Sequence, residues 1–292
     1  MFFVDHSPPL PFFGLATSVN LQSIKTGFRD HLEWMVKLTG GACWISTPAT
    51  DDEIHQVVRM FQPQSTGHEL VRLGGEADGG YLVPNDLGGL TDCFSPGVDA
   101  EASFERDLET MGVRCHLADR SVESPPDYLK NATFRPMYLA SITAEGTITL
   151  EQWIVDEGLT QSSELLLQMD IEGAEYEVLT ATSIETLRQF RIIVLEMHYL
   201  ERVANRVFLG VLRALLQKLR SEFTVAHIHP NNCTTLKKVG GVNVPPLLEV
   251  TFLRNDRVRT SKGVCVLPHP LDRTNVPEKH DFELSGPWLP GH

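Results

Sequence analysis

The sequence predicts an α/β protein built on a doubly wound, mostly parallel sheet. From Leu70 onward, short apolar runs alternate with helical patterns of about ten to fifteen residues, which is typical of parallel strands joined by crossover helices. The last two expected strands, 223–228 and 247–253, are separated by an Asn-, Gly- and Pro-rich loop instead of a helix. The sheet is therefore expected to end in an antiparallel hairpin at one edge.

Composition and charge exclude several classes of protein. The 292 residues are 42% hydrophobic, which is enough for a sizeable core. The chain carries 25 Lys and Arg against 38 Asp and Glu, a net charge of −13. Since binding to nucleic acid or to an anionic membrane depends on Lys and Arg, we expect neither partner. Five scattered cysteines without a CxxC pair indicate reduced thiols and a cytoplasmic protein.

Three regions follow along the chain. Residues 1–66 are expected to form a helical leader or cap, with one helix candidate at 24–38 and a second that is opened by the cap-like Thr-Asp-Asp-Glu segment at 50–53 and runs to Phe61. The sheet domain occupies 67–256, and 257–292 is an irregular, Pro-rich tail. The leader is the segment through which we would expect an oligomer to form.

Each element of the sheet domain follows from an apolar run or an amphipathic pattern. Apolar runs at 71–73 and 81–83 flank a Gly- and Asp-rich turn and predict a hairpin. The strands expected after it are 92–94, 113–118, 133–139, 164–169, 191–197, 223–228 and 247–253. The expected helices are 102–111, 149–157, 174–187 and 205–219.

Polar residues follow the first two strands of the parallel sheet, where open α/β sheets bind ligands. Ser95, Gly97 and Asp99 end the first, and Gly97 would let a ligand approach the backbone just before a helix. Asp119 ends the second, 22 residues after Gly97. This is close to the spacing at which an acid binds ribose hydroxyls in nucleotide-binding folds.

An acidic stretch follows the strand 164–169. Asp170 and Glu172 lie at the turn where a ligand would bind, whereas Glu175 and Glu177 fall in the first helical turn and complement the helix dipole. Between Pro136 and Leu187 there are ten acidic residues and no Lys or Arg. This stretch alone has a charge of −10, so it accounts for most of the net charge of −13.

The run MDIEGAEYEVL at 169–179, preceded by TLEQWI at 149–154, resembles the FkbM-type methyltransferases, which use S-adenosylmethionine. The DGGY turn at 78–81 and the segment 95–105 resemble one branch of that family, related to the methyltransferase-like proteins of animals. The resemblance extends from about Leu70 to Arg254. It implies a class I methyltransferase (Rossmann-like) sheet over 67–256, whose sixth and seventh strands form the terminal hairpin.

The resemblance also implies a cofactor site. Ser95, Gly97 and Asp99 would line the methionine and ribose side of S-adenosylmethionine. Asp119 would take the ribose hydroxyls, and residues around Ser141 the adenine. The loop after the first strand keeps only one glycine, where such folds often carry two or three.

Three further residues complete the implied cofactor site. Asp170 would lie beside the amino group and the sulfonium, with Glu172 in the same pocket, and Tyr81 would fold over the cofactor. The acidic stretch then suits a cationic sulfonium.

Glu196 and His198 share a face at the end of the strand 191–197. The resemblance implies that this strand lies next to the one that ends at Asp170, and two mechanisms fit that placement. In the first, His198 is the general base that removes the proton of an acceptor hydroxyl. In the second, Asp170 with Glu196 or His198 binds a divalent cation that lowers the pKa of that hydroxyl. Oxygen ligands alone favour magnesium, and the imidazole shifts the preference toward manganese or iron.

A polar cluster follows the sixth strand. His227 and His229 share a strand face, and Asn231 and Asn232 lie in the next loop, where substrate contact or loop hydrogen bonding is expected. The sequence thus predicts methylation of an oxygen on a small molecule or glycan. The alternatives are a nicotinamide-linked oxidoreductase, disfavoured because GxGxxG is missing, and a catalytically degenerate fold kept as a binding module, suggested by the sparse glycine loop.

Overall fold

The computed structural model describes residues 47–98, 101–125, 128–162, 164–259 and 265–291. The helix candidate at 24–38 lies outside them. The strands are β1 (Leu70–Leu73), β2 (Tyr81–Pro84), β3 (Asp92–Pro96), β4 (Arg114–Ala118), β5 (Thr133–Arg135), β6 (Tyr138–Leu139), β7 (Thr147–Ile148), β8 (Leu165–Met169), β9 (Phe190–Met197), β10 (Phe223–Pro230), β11 (Lys237–Val239), β12 (Val242–Val244) and β13 (Leu248–Arg254). The helices are α1 (Asp51–Val58), α2 (Ser103–Thr110), α3 (Leu150–Asp156), α4 (Glu175–Ala181), α5 (Ile184–Leu187) and α6 (Arg206–Glu222).

The architecture is mixed α/β, with a mostly parallel central sheet. Seven strands are arranged in the order β10-β13-β9-β8-β3-β4-β5. The five from β9 to β5 pair in parallel, whereas β13 is antiparallel to both β9 and β10. The chain builds outward in opposite directions from β3 and β8, so the strand order reverses between these two strands. Open α/β sheets bind ligands at such a point.

The core has two layers because alternate residues of the buried strands face opposite sides of the sheet. On β8, Leu165, Leu167 and Met169 pack with the apolar residues of α1, α3, α4 and α6. Leu166 packs on the other side with α2 and the β1–β2 hairpin. A strand buried on both faces is apolar throughout, which explains the uninterrupted Leu run in the sequence.

Helix α1 begins at the predicted cap. The Thr50 Oγ1 accepts a hydrogen bond from the Glu53 N–H at 3.3 Å, and Glu53 Oε2 accepts one from the Thr50 N–H at 2.8 Å. This capping box satisfies two backbone groups that the helix itself leaves unpaired. After α1, Phe61 packs against Trp288 of the tail, with ring centroids 5.8 Å apart.

Two expected elements are divided in the structure. The strand expected at 133–139 stops at Arg135, because Pro136 has no N–H to donate to a neighbouring strand. Residues Tyr138–Leu139 pair instead with Thr147–Ile148.

The helix expected at 174–187 breaks at Thr182, whose ψ is 133°. The Ser183 side chain then caps α5 by accepting from the Thr186 N–H, and local bonding of this kind competes with a continuous helix. The long loop before β13 also contains an unexpected hairpin, β11–β12.

Among the described residues, none of the helices is both long and apolar enough to cross a bilayer.

Candidate active site

A cavity of about 710 Å³ opens at the carboxyl ends of β3, β4 and β8. Its volume is typical of a small-molecule or cofactor site, and it lies at the reversal of strand order. Among the described residues that line it, none is Lys, Arg or His, and six are acidic. These six are Asp78, Glu101, Glu105, Asp119, Asp170 and Glu172. Such a lining favours a positively charged ligand.

Gly97 follows β3 and lies against the loop after β8. Its φ is 82°, in the left-handed region that favours glycine. The Gly97 N–H donates to the Ala118 carbonyl at 3.0 Å, and the Asp170 N–H donates to the Pro96 carbonyl at 3.3 Å. Gly97 therefore lets three strand ends meet and lines the cavity there. Asp99, predicted beside it, lies outside the described residues.

Ser95 is buried one layer behind the cavity wall. Its Oγ is in hydrogen-bond contact with Glu105 Oε1 and lies 2.7 Å from Gln168 Oε1. The Gln168 amide in turn donates to the Tyr81 hydroxyl at 3.4 Å. Tyr81, Glu105 and Gln168 line the cavity, so the Ser95 side chain supports the wall from behind.

Glu105 is a buried acid that sequence reasoning did not single out. Burial raises the pKa of its carboxyl to about 7. The hydrogen bonds of Ser95 agree with a protonated Glu105. The Ser95 hydroxyl has one hydrogen but contacts two oxygens, Glu105 Oε1 and Gln168 Oε1, and a proton on Glu105 would supply the second hydrogen bond. The helical spacing could have shown that Glu105 is buried. It lies next to Phe104 and one turn before Leu108, so it falls on the buried face of α2.

Tyr81 lines the cavity, where it was expected to meet the cofactor. Its ring packs edge-on against Phe104, with centroids 5.6 Å apart. Burial and the nearby carboxylates of Glu196 and Asp170 raise the pKa of its hydroxyl well above the ordinary value. It is a neutral hydrogen-bonding group at the cavity wall.

Asp119 lies at the end of β4, on the side of the cavity predicted for ribose. Its Oδ1 accepts hydrogen bonds from the N–H and the hydroxyl of Ser121, both at 2.7 Å, which fixes the carboxylate. Both residues line the cavity. Ser141, predicted near the adenine, hydrogen-bonds Glu177, and the cavity wall nearby is formed by Tyr138 and Leu139.

His198 follows β9 and is fixed by helix α4. Its Nδ1 lies 3.1 Å from Glu175 Oε1, and its carbonyl accepts from the Tyr176 hydroxyl at 2.5 Å. Glu175 Oε1 also accepts the N–H groups of Ile171 (3.0 Å) and Gly173 (3.1 Å). Glu175, which the sequence assigned to the helix dipole, therefore orients the imidazole.

The second ring nitrogen of His198 faces two carboxylates of the cavity lining. Nε2 lies 3.7 Å from Asp170 Oδ1 and 3.4 Å from Glu172 Oε2. Burial opposes a charge on the ring, but the hydrogen bond to Glu175 and the surrounding carboxylates outweigh it and raise the pKa of His198. Burial likewise raises the pKa of Asp170, to about 6.

Glu196 lies at the end of β9, next to Asp170 at the end of the neighbouring strand β8, as the resemblance implies. Burial and the Asp170, Glu249 and Asp78 carboxylates raise its pKa well above the ordinary value, and its carboxyl group is hydrogen-bonded to Asp170. Glu196 Oε1 accepts from Asn231 Nδ2 at 2.7 Å. Asn231, predicted as a substrate contact, thus holds one of the predicted catalytic side chains.

The other polar residues of this cluster lie on β10 or just after it and contact the tail. His229 lies 3.2 Å from Asp281 and 3.4 Å from Glu249, and these contacts outweigh its burial and raise its pKa to about 10. Likewise, His227 Nε2 lies 2.8 Å from Asp272.

Asn232 continues the same contact with the tail. Its amide donates to the carbonyls of Val276 and Lys279, at 3.1 and 3.2 Å. The roles of His229 and Asn232 in substrate binding stay predictions.

One group of His, Cys, Asp and Glu side chains in the described residues is arranged closely enough to hold a metal. Asp170, Glu175 and His198 offer ligand atoms that all lie within 4.8 Å of one another. The sequence predicted Asp170 with Glu196 or His198. The structure adds Glu175 to the pair Asp170 and His198.

One comparison with known proteins covers part of this site. The family model of the methyltransferase FkbM domain matches residues 122–223. The matched segment includes Asp170, Glu175, Glu196 and His198, and the FkbM resemblance is confirmed over it. Membership of the animal methyltransferase-like branch stays a prediction. No curated protein matches the chain.

Proposed function

We propose that this protein is an S-adenosylmethionine-dependent methyltransferase that acts on an oxygen of a small molecule or glycan. One observation carries the proposal: the segment matched by the methyltransferase FkbM domain supplies a wall of the acidic cavity at the switch point of the sheet. The missing GxGxxG motif disfavours the oxidoreductase alternative.

The donor set of the cavity fits this cofactor. A fixed carboxylate such as Asp119 can accept hydrogen bonds from both hydroxyls of a ribose. Asp170 and Glu172 would accept from the amino group, and their negative charge complements the sulfonium. Tyr138 and Leu139 offer an apolar surface for the adenine. The cofactor would supply a methyl group attached to a positively charged sulfur.

Acceptor activation is assigned to Asp170, Glu196 and His198. A hydroxyl must lose its proton as its oxygen attacks. Asp170 lines the cavity, with the Glu196 carboxyl beside it and the His198 imidazole behind it. Because Glu175 and Tyr176 fix His198, these groups are held in place before the acceptor binds, which favours in-line transfer.

Calorimetry tests the proposal. The full chain should bind S-adenosylmethionine and S-adenosylhomocysteine, but not NAD. Asp119→Asn should weaken the binding of both compounds by about tenfold or more, because a hydrogen bond to a charged group contributes about 1.5–3 kcal/mol. The control is Glu185→Gln, an exposed acid on α5, which should bind as the wild type does.

Three outcomes would overturn parts of the proposal. Absence of cofactor binding to the wild-type chain would overturn the whole, and binding of NAD would favour the oxidoreductase. Unchanged affinity in Asp119→Asn would remove the role of Asp119. Transfer of a labelled methyl group to sugars or small alcohols should then be found, whereas cofactor binding without any transfer supports the degenerate binding module.

A further inference from the structure

We infer that Glu105 faces the positive charge of the bound cofactor as a carboxylate and releases its proton to solvent when the cofactor binds. Glu105 lines the cavity, yet only 3% of the residue is exposed. Neither the cofactor contacts nor the acceptor activation described above uses it. This role rests on the proposed function, because S-adenosylmethionine is the cation that the acidic cavity is proposed to hold.

Glu105 is a buried acid without a cationic partner among the described residues that line the cavity, since none of them is Lys, Arg or His. Arg106 follows it along α2, but the Arg106 guanidinium lies over the ring of Tyr128, 5.7 Å from the centroid. The Arg106 side chain is also 52% exposed. Because an unpaired buried carboxylate is costly, the free chain favours the protonated acid.

The titratable neighbours of Glu105 that the structure describes are acidic groups. The negative charge of Glu101 opposes ionisation, and burial opposes it more strongly, so the pKa of Glu105 is raised to about 7. The Cys115 thiol donates to the Glu105 carbonyl at 3.5 Å. The other titratable neighbours are Tyr81 on β2, Cys93 on β3 and Tyr128. A positive charge beside Glu105 would therefore come from a ligand.

The same surroundings can hold Glu105 as a carboxylate once a cation lies beside it. The Ser95 hydroxyl and the N–H of Glu105 itself hydrogen-bond the carboxyl group, and both contacts favour its ionised form. Glu105 also lies in the first turn of α2, where the helix dipole favours a negative charge. Near pH 7 the two protonation states are thus close in free energy, and a nearby positive charge decides between them.

Binding of a cation then displaces a proton. An opposite charge within a few ångströms lowers the pKa of a carboxyl by about 1–3. About half of the Glu105 carboxyls are protonated at pH 7 in the free chain, so about half a proton per chain should go to solvent there. Almost none should be released at about pH 8.5, where the free carboxyl is already ionised.

Calorimetry on the full chain counts this proton. The binding enthalpy of S-adenosylmethionine is measured at pH 7 in buffers of different ionisation enthalpy, and the slope gives the number of protons released. Glu105→Gln should release about half a proton less than the wild type. This difference isolates Glu105 from Asp170 and Glu196, two other carboxyls with raised pKa values. Glu185→Gln is the control and should release as many protons as the wild type.

A neutral ligand and a second variant test the cause of the release. The probe 5′-methylthioadenosine has the adenosine of the cofactor without its sulfonium and ammonium charges, so it should bind without releasing the Glu105 proton. Ser95→Ala removes a hydrogen bond that favours the ionised carboxyl. It should therefore raise the pKa of Glu105 and move the proton release by S-adenosylmethionine to higher pH.

Four results would contradict this role. Equal proton release in the wild type and Glu105→Gln would overturn the inference alone, as would cofactor binding at pH 7 without any release. The same release with 5′-methylthioadenosine would show that no positive charge is needed, and an unchanged pH dependence in Ser95→Ala would separate the release from the Ser95–Glu105 pair. A wild-type chain that binds no S-adenosylmethionine overturns the proposed function and this role with it.

Discussion

A Cβ atom on Gly97 would lie 1.5 Å from the carbonyl oxygen of Asp170. The loops after β3 and β8 therefore meet only because position 97 has no side chain. Asp170 carries the carboxylate that faces His198, so this contact also sets the position of the candidate cation ligand.

Gly97→Ala should destabilise the protein more than Gly112→Ala. Both glycines have φ above 80°, but a Cβ at Gly112 would meet nothing within 4 Å. The Gly112 variant should lose about 1–2 kcal/mol from backbone strain alone. Overpacking adds about 1–3 kcal/mol at Gly97, for a total of about 2–5 kcal/mol. Chemical denaturation measures both, and equal losses would show that the close approach is unimportant.

Glu105 should make stability fall as the pH rises. Its pKa is raised from 4.5 to about 7, so between these values the unfolded chain ionises while the folded chain keeps the proton. The contribution of Glu105 to the free energy of unfolding is therefore fully present below about pH 4.5 and falls as the pH rises to about 7. The total loss is about 3 kcal/mol.

Glu105→Gln tests this origin because an amide can donate to Ser95 as the protonated acid does, yet cannot ionise. Relative to the wild type, it should gain about 3 kcal/mol between pH 4 and pH 8. Urea denaturation at the two pH values measures the gain. A stability difference that stays constant across this range would contradict a buried neutral Glu105.

Arg191 is a buried cation whose loss should be costly. It donates to Glu164 at 2.6 Å and to the carbonyls of Asp86 and Gly88 at 2.7 and 2.8 Å. Arg191→Met should lower the unfolding free energy by about 3–5 kcal/mol, because Glu164 and the two carbonyls lose their partner.

Arg188 provides the matched comparison for Arg191. Its side chain is 59% exposed and lies 3.4 Å from Glu222. Arg188→Met should change the unfolding free energy by less than about 1 kcal/mol, as is usual for surface ion pairs. Guanidinium denaturation of the two variants gives the comparison, and a loss below 1 kcal/mol in Arg191→Met as well would refute the structural role assigned to it.

Local patterns predicted much of the sheet. The apolar run before Asp170 could be buried on both faces only as a central strand, and the Thr50–Glu53 box marked the start of α1. The same patterns were wrong at Pro136 and Thr182, where the missing N–H and the side-chain caps interrupt elements whose apolar spacing continues. Apolar spacing reports burial and not hydrogen-bonding capacity.

The sequence by itself determined the alternation of strands and helices, the acidic stretch after β8, and the placement of Asp119 and Asp170 at strand ends. These properties depend on neighbours along the chain. Only the tertiary structure decided that Ser95 supports the cavity wall from behind, that Glu175 orients His198, and that Asn231 holds Glu196. Those contacts join residues from different elements, and the pairing of buried polar groups is set by which strand ends meet in space.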